Sequence, residues 1–239
     1  MPDVTNTQLP IESDATWRGG RADVPRYDDP PVGAGLRLVE TPIIEATDDT
    51  LRGYGRLVRD PAECRLQIVR WPAAGRRPVD PDCGDEGGTT EGTFVSWWEG
   101  DRLFGSNGAV GGEYVLGFSR RPDVDEATRG GPGRRALLWH ANYHPDGGQL
   151  FFPKARKPFV VPVALPGDDI RPEHFVTFWS DGSHGIYIHP GIWHEGVFPC
   201  TPRGEFFDRQ GAVHARVSVE FPREFGCLLS VPLPEDRPR

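Results

Sequence analysis

The sequence predicts an all-β domain, a sandwich or a barrel, preceded by an irregular N-terminal arm. Short apolar segments follow one another along the chain, and Gly or Pro, present 30 and 25 times, separates nearly all of them. Convincing amphipathic helical stretches are nearly absent. Many short strands at such spacing are typical of sandwiches and barrels, whereas long helices need continuous 3.6-residue periodicity.

The N-terminal region differs in composition from the rest of the chain. Residues 1–35 are polar and rich in Pro and Gly, with Trp17 and Tyr27 as the large rings that can pin the segment to the body. No linker splits the chain after this point. We therefore expect residues 1–50 to form an arm and first strand that pack on the body, and residues 51–239 to form one β-barrel domain.

The later strands are predicted from short apolar runs. A turn-rich segment, 105–112, joins two of them, and its Asn107-Gly108 pair suits a hairpin. A Gly-rich, partly acidic loop is expected at 72–93. The strand candidates after that loop are 94–98, 113–118, 136–140, 149–152, 159–164, 175–179, 185–188, 212–221 and 227–231.

Charge and cysteine usage narrow the partners and the compartment. The net charge is -8 and no dense Lys/Arg run is present, which argues against nucleic acid or an anionic membrane surface as a partner. No signal peptide is visible, and no apolar run approaches the roughly 20 residues of a membrane helix. Cys64, Cys83, Cys200 and Cys227 are widely spaced without a C-x-x-C motif. We expect a soluble, cytoplasmic protein with free thiols.

The most informative motif lies between Gly185 and His194. Residues 185–188 alternate as in a short strand, Pro190-Gly191 forms a turn, and His189 and His194 flank that turn. Two imidazoles beside a tight turn at a strand end can converge on one small ligand or metal ion.

A second cluster of polar residues begins at His140 and ends at Pro153. It contains His144 and Gln149, separated by a Gly-Gly turn. The two clusters give the patterns H-P-x-G-x-Q-x-F-x-P and H-x-x-x-W-H, in that order.

These patterns resemble the ureidoglycolate lyase family, a branch of the cupins, over roughly residues 51–233. The resemblance implies a cupin-type double-stranded β-helix, or jelly-roll barrel, with two metal-binding motifs. Asn142 and His144 then occupy the H-x-H positions of the first motif and Gln149 its Glu position, while His194 occupies the ligand position of the second.

The chain departs from the family's pattern at Asn142-Tyr143, where members often have a Glu-Arg pair. A changed charge beside the pocket indicates that the substrate can differ. The metal site is weakened as well, because divalent transition metals prefer His and carboxylate over carboxamide. The possible ligand set for Mn, Ni or Zn is His144, Gln149, His189 and His194, with His189 as a substitute ligand.

The resemblance implies a carbon–nitrogen lyase that converts ureidoglycolate, or a close analogue, to glyoxylate and urea in purine and allantoin degradation. This chemistry needs a base for the hydroxyl proton, an acid for the leaving nitrogen, and positive charge for the carboxylate. The catalytic candidates are His144, His189, His194 and Glu220, and the substrate-binding candidates are Asn107, Gln149, Lys154, Arg156, Trp193 and Arg216.

One candidate depends on strand geometry. Arg216, Ser218 and Glu220 alternate along the strand near the C-terminus and therefore share a face. If that face points inward, Glu220 can orient an imidazole; if it points to solvent, Arg216 and Glu220 form an ordinary surface pair.

Two other functions remain open at this level. One is a metal-dependent cupin oxygenase or isomerase acting on another small acid, and the other is a non-catalytic cupin that binds a metabolite. The expected partners are a small-molecule carboxylate and a second copy of the chain, since such barrels often pair through edge strands.

Overall fold

The structure, a computed structural model, describes residues 28–30, 32–69, 77–80, 88–121, 135–212 and 215–238. Its elements are almost all strands, as predicted. The strands are β1 Arg37–Glu40, β2 Ile43–Glu45, β3 Gly55–Val58, β4 Thr89–Glu99, β5 Arg102–Asn107, β6 Glu113–Phe118, β7 Arg135–Leu138, β8 His140–Tyr143, β9 Gln149–Pro153, β10 Phe159–Ala164, β11 Val176–Ser180, β12 Gly185–Ile188, β13 Trp193–His194, β14 Phe198–Pro199, β15 Arg203–Gly211, β16 Val217–Glu220 and β17 Cys227–Pro232. Within the described residues, one short helix, α1 (Phe221–Phe225), and 3-10 turns at Pro61–Glu63 and Pro172–His174 are also present.

The strands form two sheets. One has ten strands in the order β1-β17-β7-β6-β5-β4-β15-β9-β12-β3, and the other has seven, six of them in the order β16-β8-β13-β10-β11-β2 with β14 paired to β10. Both sheets are open in the described part of the chain, so the architecture is a jelly-roll-type sandwich rather than a closed barrel. The all-β, cupin-type prediction is confirmed.

The core lies between the two sheets. Alternate residues of each strand point inward, as the period of two requires, and aromatic rings meet across the interface. Phe159 of β10 packs against Phe206 of β15 with ring centroids 5.1 Å apart, and Phe206 in turn lies 6.5 Å from Phe94 of β4. These aromatic contacts set the separation of the sheets. Further along the same strands, some of the inward-facing side chains are polar.

The N-terminal strands complete both sheets at their edges. β1 pairs in parallel with β17, and β2 pairs in parallel with β11. Val32 and Leu36 pack on a small cluster beneath the first of these edges. Trp17 and Tyr27 lie outside the described residues, as do Cys83 and most of the 72–93 loop.

A hairpin turn follows Asn107, as the Asn-Gly pair predicted, but it joins β6 to β5, a strand that the sequence did not predict, rather than to the strand predicted at 94–98. Gly105 and Asn107 belong to β5, which pairs with both β4 and β6. A second turn at Gly100, with φ of 61°, connects β4 to β5. The sequence did not predict β5, because its core-facing residues Leu103 and Gly105 alternate with residues that do not face the core, so no apolar run marks the strand.

The strand predicted at 212–221 is shorter than expected, because β16 covers only Val217–Glu220. Phe221 begins α1, which stops at Gly226 in the left-handed conformation with φ of 60°. None of the described helices is of a length and hydrophobicity that would span a membrane.

Candidate functional site

Two histidines from neighbouring strands of the seven-stranded sheet face each other in the interior. His194 lies in β13 opposite Asn142 of β8, and His144 follows β8 in the chain. Their rings meet edge to face with centroids 5.1 Å apart, and the residues are 3% and 6% exposed. The fold therefore brings together two members of the proposed ligand set, His144 and His194.

The His144 ring is held in one tautomer by the backbone. Its Nδ1 lies 3.0 Å from the carbonyl oxygen of Ala215, which can only accept, so Nδ1 carries the hydrogen. The N–H of Ala215 donates to the Asp146 carboxylate at 3.2 Å. Both backbone groups of Ala215 are thus fixed, and the acceptor nitrogen of His144 is Nε2.

Both ring nitrogens of His194 face oxygen acceptors. Nδ1 lies 2.7 Å from the carbonyl oxygen of Ile192, and Nε2 lies 3.1 Å from Oε1 of Gln149. The other end of the same amide, Nε2 of Gln149, donates to Asp208 Oδ1 at 2.9 Å. A single amide therefore connects His194 of one sheet to Asp208 of the other.

Asp208 is fully buried and surrounded by amides. Besides Gln149, the side chain of Gln210 donates to Asp208 Oδ2 at 2.7 Å, and Asn107 donates to the same carboxylate. Burial nevertheless dominates and raises the pKa of Asp208 to about 6, while the three amide bonds act in the opposite direction.

The donor and acceptor roles in the hydrogen bonds that link His194, Gln149 and Asp208 depend on where one proton lies. With the amide oriented as in the structure, Gln149 Oε1 needs a donor, so His194 carries hydrogens on both nitrogens and Asp208 is ionised. If the amide is turned, Asp208 carries the proton and His194 is neutral, and every bond is again satisfied. Burial favours the second arrangement, because it lowers the pKa of His194 and raises that of Asp208. These three linked residues can therefore hold one proton either on His194 or on Asp208.

The strand register places a second set of polar residues on the same face. Asn142 is opposite His194 on one side and Ser218 on the other, and directly opposite residues of antiparallel strands share a face. We call this the site face. Arg216 is on it too: Arg216 Nε and Ser218 Oγ both donate to Asp80 Oδ2, at 2.7 and 2.6 Å.

The pairing of β16 with β8 therefore supports an Arg216 side chain that points inward rather than to solvent. The Arg216 side chain is 21% exposed, so it lies toward the edge of the site face rather than at its buried centre. That position suits a cation that meets an entering carboxylate.

Glu220 does not have the predicted environment. Its carboxylate lies 3.4 Å from Arg223 Nη1, where β16 runs into α1. The buried carboxylate that holds an imidazole is instead Glu195, whose Oε2 lies 2.7 Å from Nδ1 of His140. His140 is 1% exposed and is held by this pair.

His189 and Trp193 point away from the site face. In β12, Ile186 and Ile188 face the core, so Tyr187 points outward, and the His189 ring packs edge-on against it at 5.4 Å. Trp193 precedes His194 and so projects to the other side of β13, where its indole donates to the Gly167 carbonyl at 2.9 Å. The structure does not bring either residue to His144 and His194.

The two other predicted cations lie on the surface. Lys154 Nζ donates to Thr93 Oγ1 at 2.7 Å, and Arg156 pairs with Asp181 at 3.0 Å. Both residues follow β9, whose last inward-facing residue is Pro153. Among the predicted cations, Arg216 is the one on the site face.

Asp208, Gln210 and Asp80 are site residues that the sequence reasoning missed. Asp208 and Gln210 follow Phe206 at every second position of β15, and Phe206, Asp208 and Gln210 are all buried. The F-x-D-x-Q spacing was a usable signal, since polar residues at every second position of a core strand point into the interior. Asp80 had no such signal, because it lies in a loop.

The donor set does not fit a divalent metal well. Within the described residues no group of three or more His, Cys, Asp and Glu side chains is placed to hold an ion. His144 and His194 offer imidazoles, but Gln149 is engaged at both ends of its amide and His189 lies on the outer face. Without a carboxylate ligand, this set is poor for Mn, Ni or Zn.

A surface cleft elsewhere lacks this chemistry. It lies beside β3 and the loop after β10, and its lining includes Tyr54, Leu165, Asp169 and His174. One imidazole and one carboxylate at an open surface do not supply the paired groups found between the sheets.

Comparison with known proteins shows which family the segment around these residues resembles. Residues 140–220 match the family model described as ureidoglycolate lyase. "Ureidoglycolate lyase" of Azotobacter vinelandii is 41% identical over 71 residues, 29% of this chain and 43% of that protein. The Stutzerimonas stutzeri protein of the same name is 42% identical over 71 residues, 29% and 42% of the two chains.

A third relative, "Ureidoglycolate lyase" of Pseudomonas entomophila, is 35% identical over 89 residues, 36% of this chain and 53% of that protein. The chain spans less than half the length of the first two relatives. The resemblance predicted from the two motifs is confirmed for the segment that contains His144, Gln149, His194 and Arg216.

Proposed function

We propose that this protein is a carbon–nitrogen lyase that cleaves ureidoglycolate, or a close analogue, into glyoxylate and urea. The observation that supports this most directly is the pair His144 and His194, whose rings are 5.1 Å apart and held by different backbone carbonyls. The match of residues 140–220 to the ureidoglycolate lyase family supports the same assignment.

The reaction needs one proton removed and one delivered. Nε2 of His144 takes the hydroxyl proton of the carbinolamide, the C–O bond becomes the carbonyl of glyoxylate, and the C–N bond breaks with its electron pair on nitrogen. His194 then gives up its hydrogen bond to Gln149 Oε1 and donates the Nε2 proton to that nitrogen, and urea leaves. Each positioned proton transfer contributes about 10²–10⁴-fold.

The Gln149–Asp208 connection gives His194 a means of holding the proton it must donate. Only the arrangement with His194 protonated and Asp208 ionised leaves a proton on His194 to donate, and in it Asp208 stabilises the protonated ring through the Gln149 amide. Burial favours the other arrangement, so the proposed reaction proceeds from the less favoured of the two. After the reaction, a proton moved from His144 to solvent and one returned to His194 restore the starting state.

Arg216 is the proposed partner of the substrate carboxylate. It lies on the site face, where Asp80 holds its guanidinium through Nε, and a guanidinium is the side-chain group whose planar fork matches a carboxylate. His189, Trp193, Lys154, Arg156 and Glu220 take no part in this proposal, because their contacts lie elsewhere.

We also propose a cytoplasmic homodimer that acts in the degradation of allantoin-derived ureidoglycolate. The described thiols, Cys64, Cys200 and Cys227, are unpaired and buried, as in a reducing compartment. The edge strands β2 and β3 end the two sheets and are the natural pairing sites.

The test is direct measurement of product. Purified protein is incubated with ureidoglycolate, and urea and glyoxylate are measured against the spontaneous rate in buffer and against the His144→Gln, His194→Gln double variant. The proposal requires both products in equal amounts, released faster by the wild type. Equal rates for wild type and double variant would contradict it and leave a metabolite-binding cupin as the better assignment.

A further inference from the structure

Asn142 lies at the centre of the site face. It is opposite His194 in one neighbouring strand and opposite Ser218 in the other, and the residue is 8% exposed. It thus stands between the imidazole pair and the edge that carries Arg216.

The side-chain oxygen of Asn142 is buried and has no hydrogen-bond partner among the described residues. A carboxamide oxygen can accept two hydrogen bonds. Nearly all buried polar atoms in folded proteins are paired, because leaving one unsatisfied is costly. An unpaired acceptor in the interior, beside two imidazoles, is therefore a place where a ligand supplies the missing donor.

The chemistry of the site limits which donor this can be. The oxygen of Asn142 accepts, so it does not favour a carboxylate or a carbonyl oxygen. In the proposed substrate the hydroxyl proton goes to His144, and the carboxylate belongs with Arg216. The donors that remain are the N–H groups of the ureido part.

We propose that Asn142 Oδ1 accepts a hydrogen bond from an N–H of the substrate's ureido group and selects ureido acids over acids without such an N–H. This inference rests on the proposed function and adds the residue that recognises the leaving group. A site built to pair a substrate N–H rejects analogues lacking it, because Asn142 then stays buried and unpaired.

The test uses binding rather than turnover. N-carbamoylglycine has the carboxylate and the ureido group but no hydroxyl, so it cannot collapse to products; glycolate lacks the ureido group. Calorimetric titration of each probe into wild type, Asn142→Leu and Asn142→Asp gives the ratio of the two affinities. Leu removes the acceptor at similar volume, and Asp keeps an acceptor oxygen at the same place.

We expect Asn142→Leu to lose about 10-fold or more of its affinity for N-carbamoylglycine, with glycolate binding changed by less than about 2-fold. Asn142→Asp should keep the wild-type preference, since any repulsion of the carboxylate affects both probes. Circular dichroism confirms folding; if the Leu variant does not fold, the Asp variant and the wild type decide.

Three results would overturn the inference: an unchanged preference in Asn142→Leu, a lost preference in Asn142→Asp, or wild type that binds N-carbamoylglycine no more tightly than glycolate. If the preference behaves as expected but ureidoglycolate is not cleaved, the proposed lyase activity fails while ureido recognition by Asn142 stands.

Discussion

His194 and Asp208 belong to different sheets and are joined through one amide, that of Gln149, with contacts of 3.1 and 2.9 Å at its two ends. Neither group reaches the other directly. The sandwich brings β13 against β9 and β15, and the interior replaces water around both titratable groups. Their protonation states are therefore linked through Gln149, and this has measurable consequences.

Replacing Asp208 by Asn should change how stability depends on pH. Burial raises the pKa of Asp208 from 3.8 to about 6, so its stabilising effect is full below about pH 4 and is lost as the pH rises to about 6. A difference of about two units corresponds to about 3 kcal/mol. The free energy of unfolding of Asp208→Asn, which cannot ionise, should lack this loss.

The measurement is urea denaturation of both proteins at several pH values between 4 and 7. Asp181→Asn is the control, because the pKa of Asp181 is lowered to about 2 and it stays ionised over this range. Parallel curves for wild type and Asp208→Asn would show that Asp208 has an ordinary pKa.

Removing either imidazole of the central pair should abolish most of the activity. We expect His144→Gln and His194→Gln each to lower kcat by about 10²-fold or more, because each loses one proton transfer. His189→Gln, at the outer face against Tyr187, should stay within a few-fold of wild type. Steady-state urea release distinguishes these cases, and an equal loss in His189→Gln would return that residue to the catalytic set.

Arg216 should control substrate affinity more than the chemical step. Arg216→Lys loses the planar fork that binds carboxylates, so KM should rise by about 10-fold or more while kcat changes less. Arg156→Lys is the matched control, since Arg156 pairs with Asp181 on the surface. A rise in KM for the control but not for Arg216→Lys would place the carboxylate elsewhere.

Activity should not depend on an added divalent metal. The described donors lack a carboxylate ligand, and Gln149 is engaged at both ends. After treatment with EDTA and removal of the chelator, product release should equal that of untreated protein. Activity that is lost and then restored by Mn, Ni or Zn would instead assign His144 and His194 as ligands.

The described part of the N-terminal arm should stabilise the body. Val32 and Leu36 pack on the cluster formed by Val115, Phe118 and neighbours. Deleting residues 1–35 should lower Tm by about 2–4 °C for each kcal/mol of packing lost. Deletion of residues 1–27 alone keeps Val32 in place and serves as the comparison. Equal Tm values for wild type and the longer deletion would show that the contact of Val32 contributes nothing.

The sequence by itself determined the fold class and the central pair. Short runs separated by Gly and Pro leave no room for long helices, and the two His-containing motifs lie at turns whose positions the strand pattern already implies. His144, Gln149 and His194 were grouped by the resemblance of their two motifs to the ureidoglycolate lyase family, because each motif keeps its residues at a fixed spacing along one strand and turn.

The tertiary structure decided the rest. Three features depend on how the two sheets face each other. They are the imidazole that Glu195 holds, the carboxylate that lies beyond Gln149, and the side of β12 on which His189 lies. Asp208 is far from Gln149 in the chain, and Asp80 is in a loop. The physical reason is that a strand's alternation divides residues into two faces, while only the packing of the sheets determines which face becomes the interior.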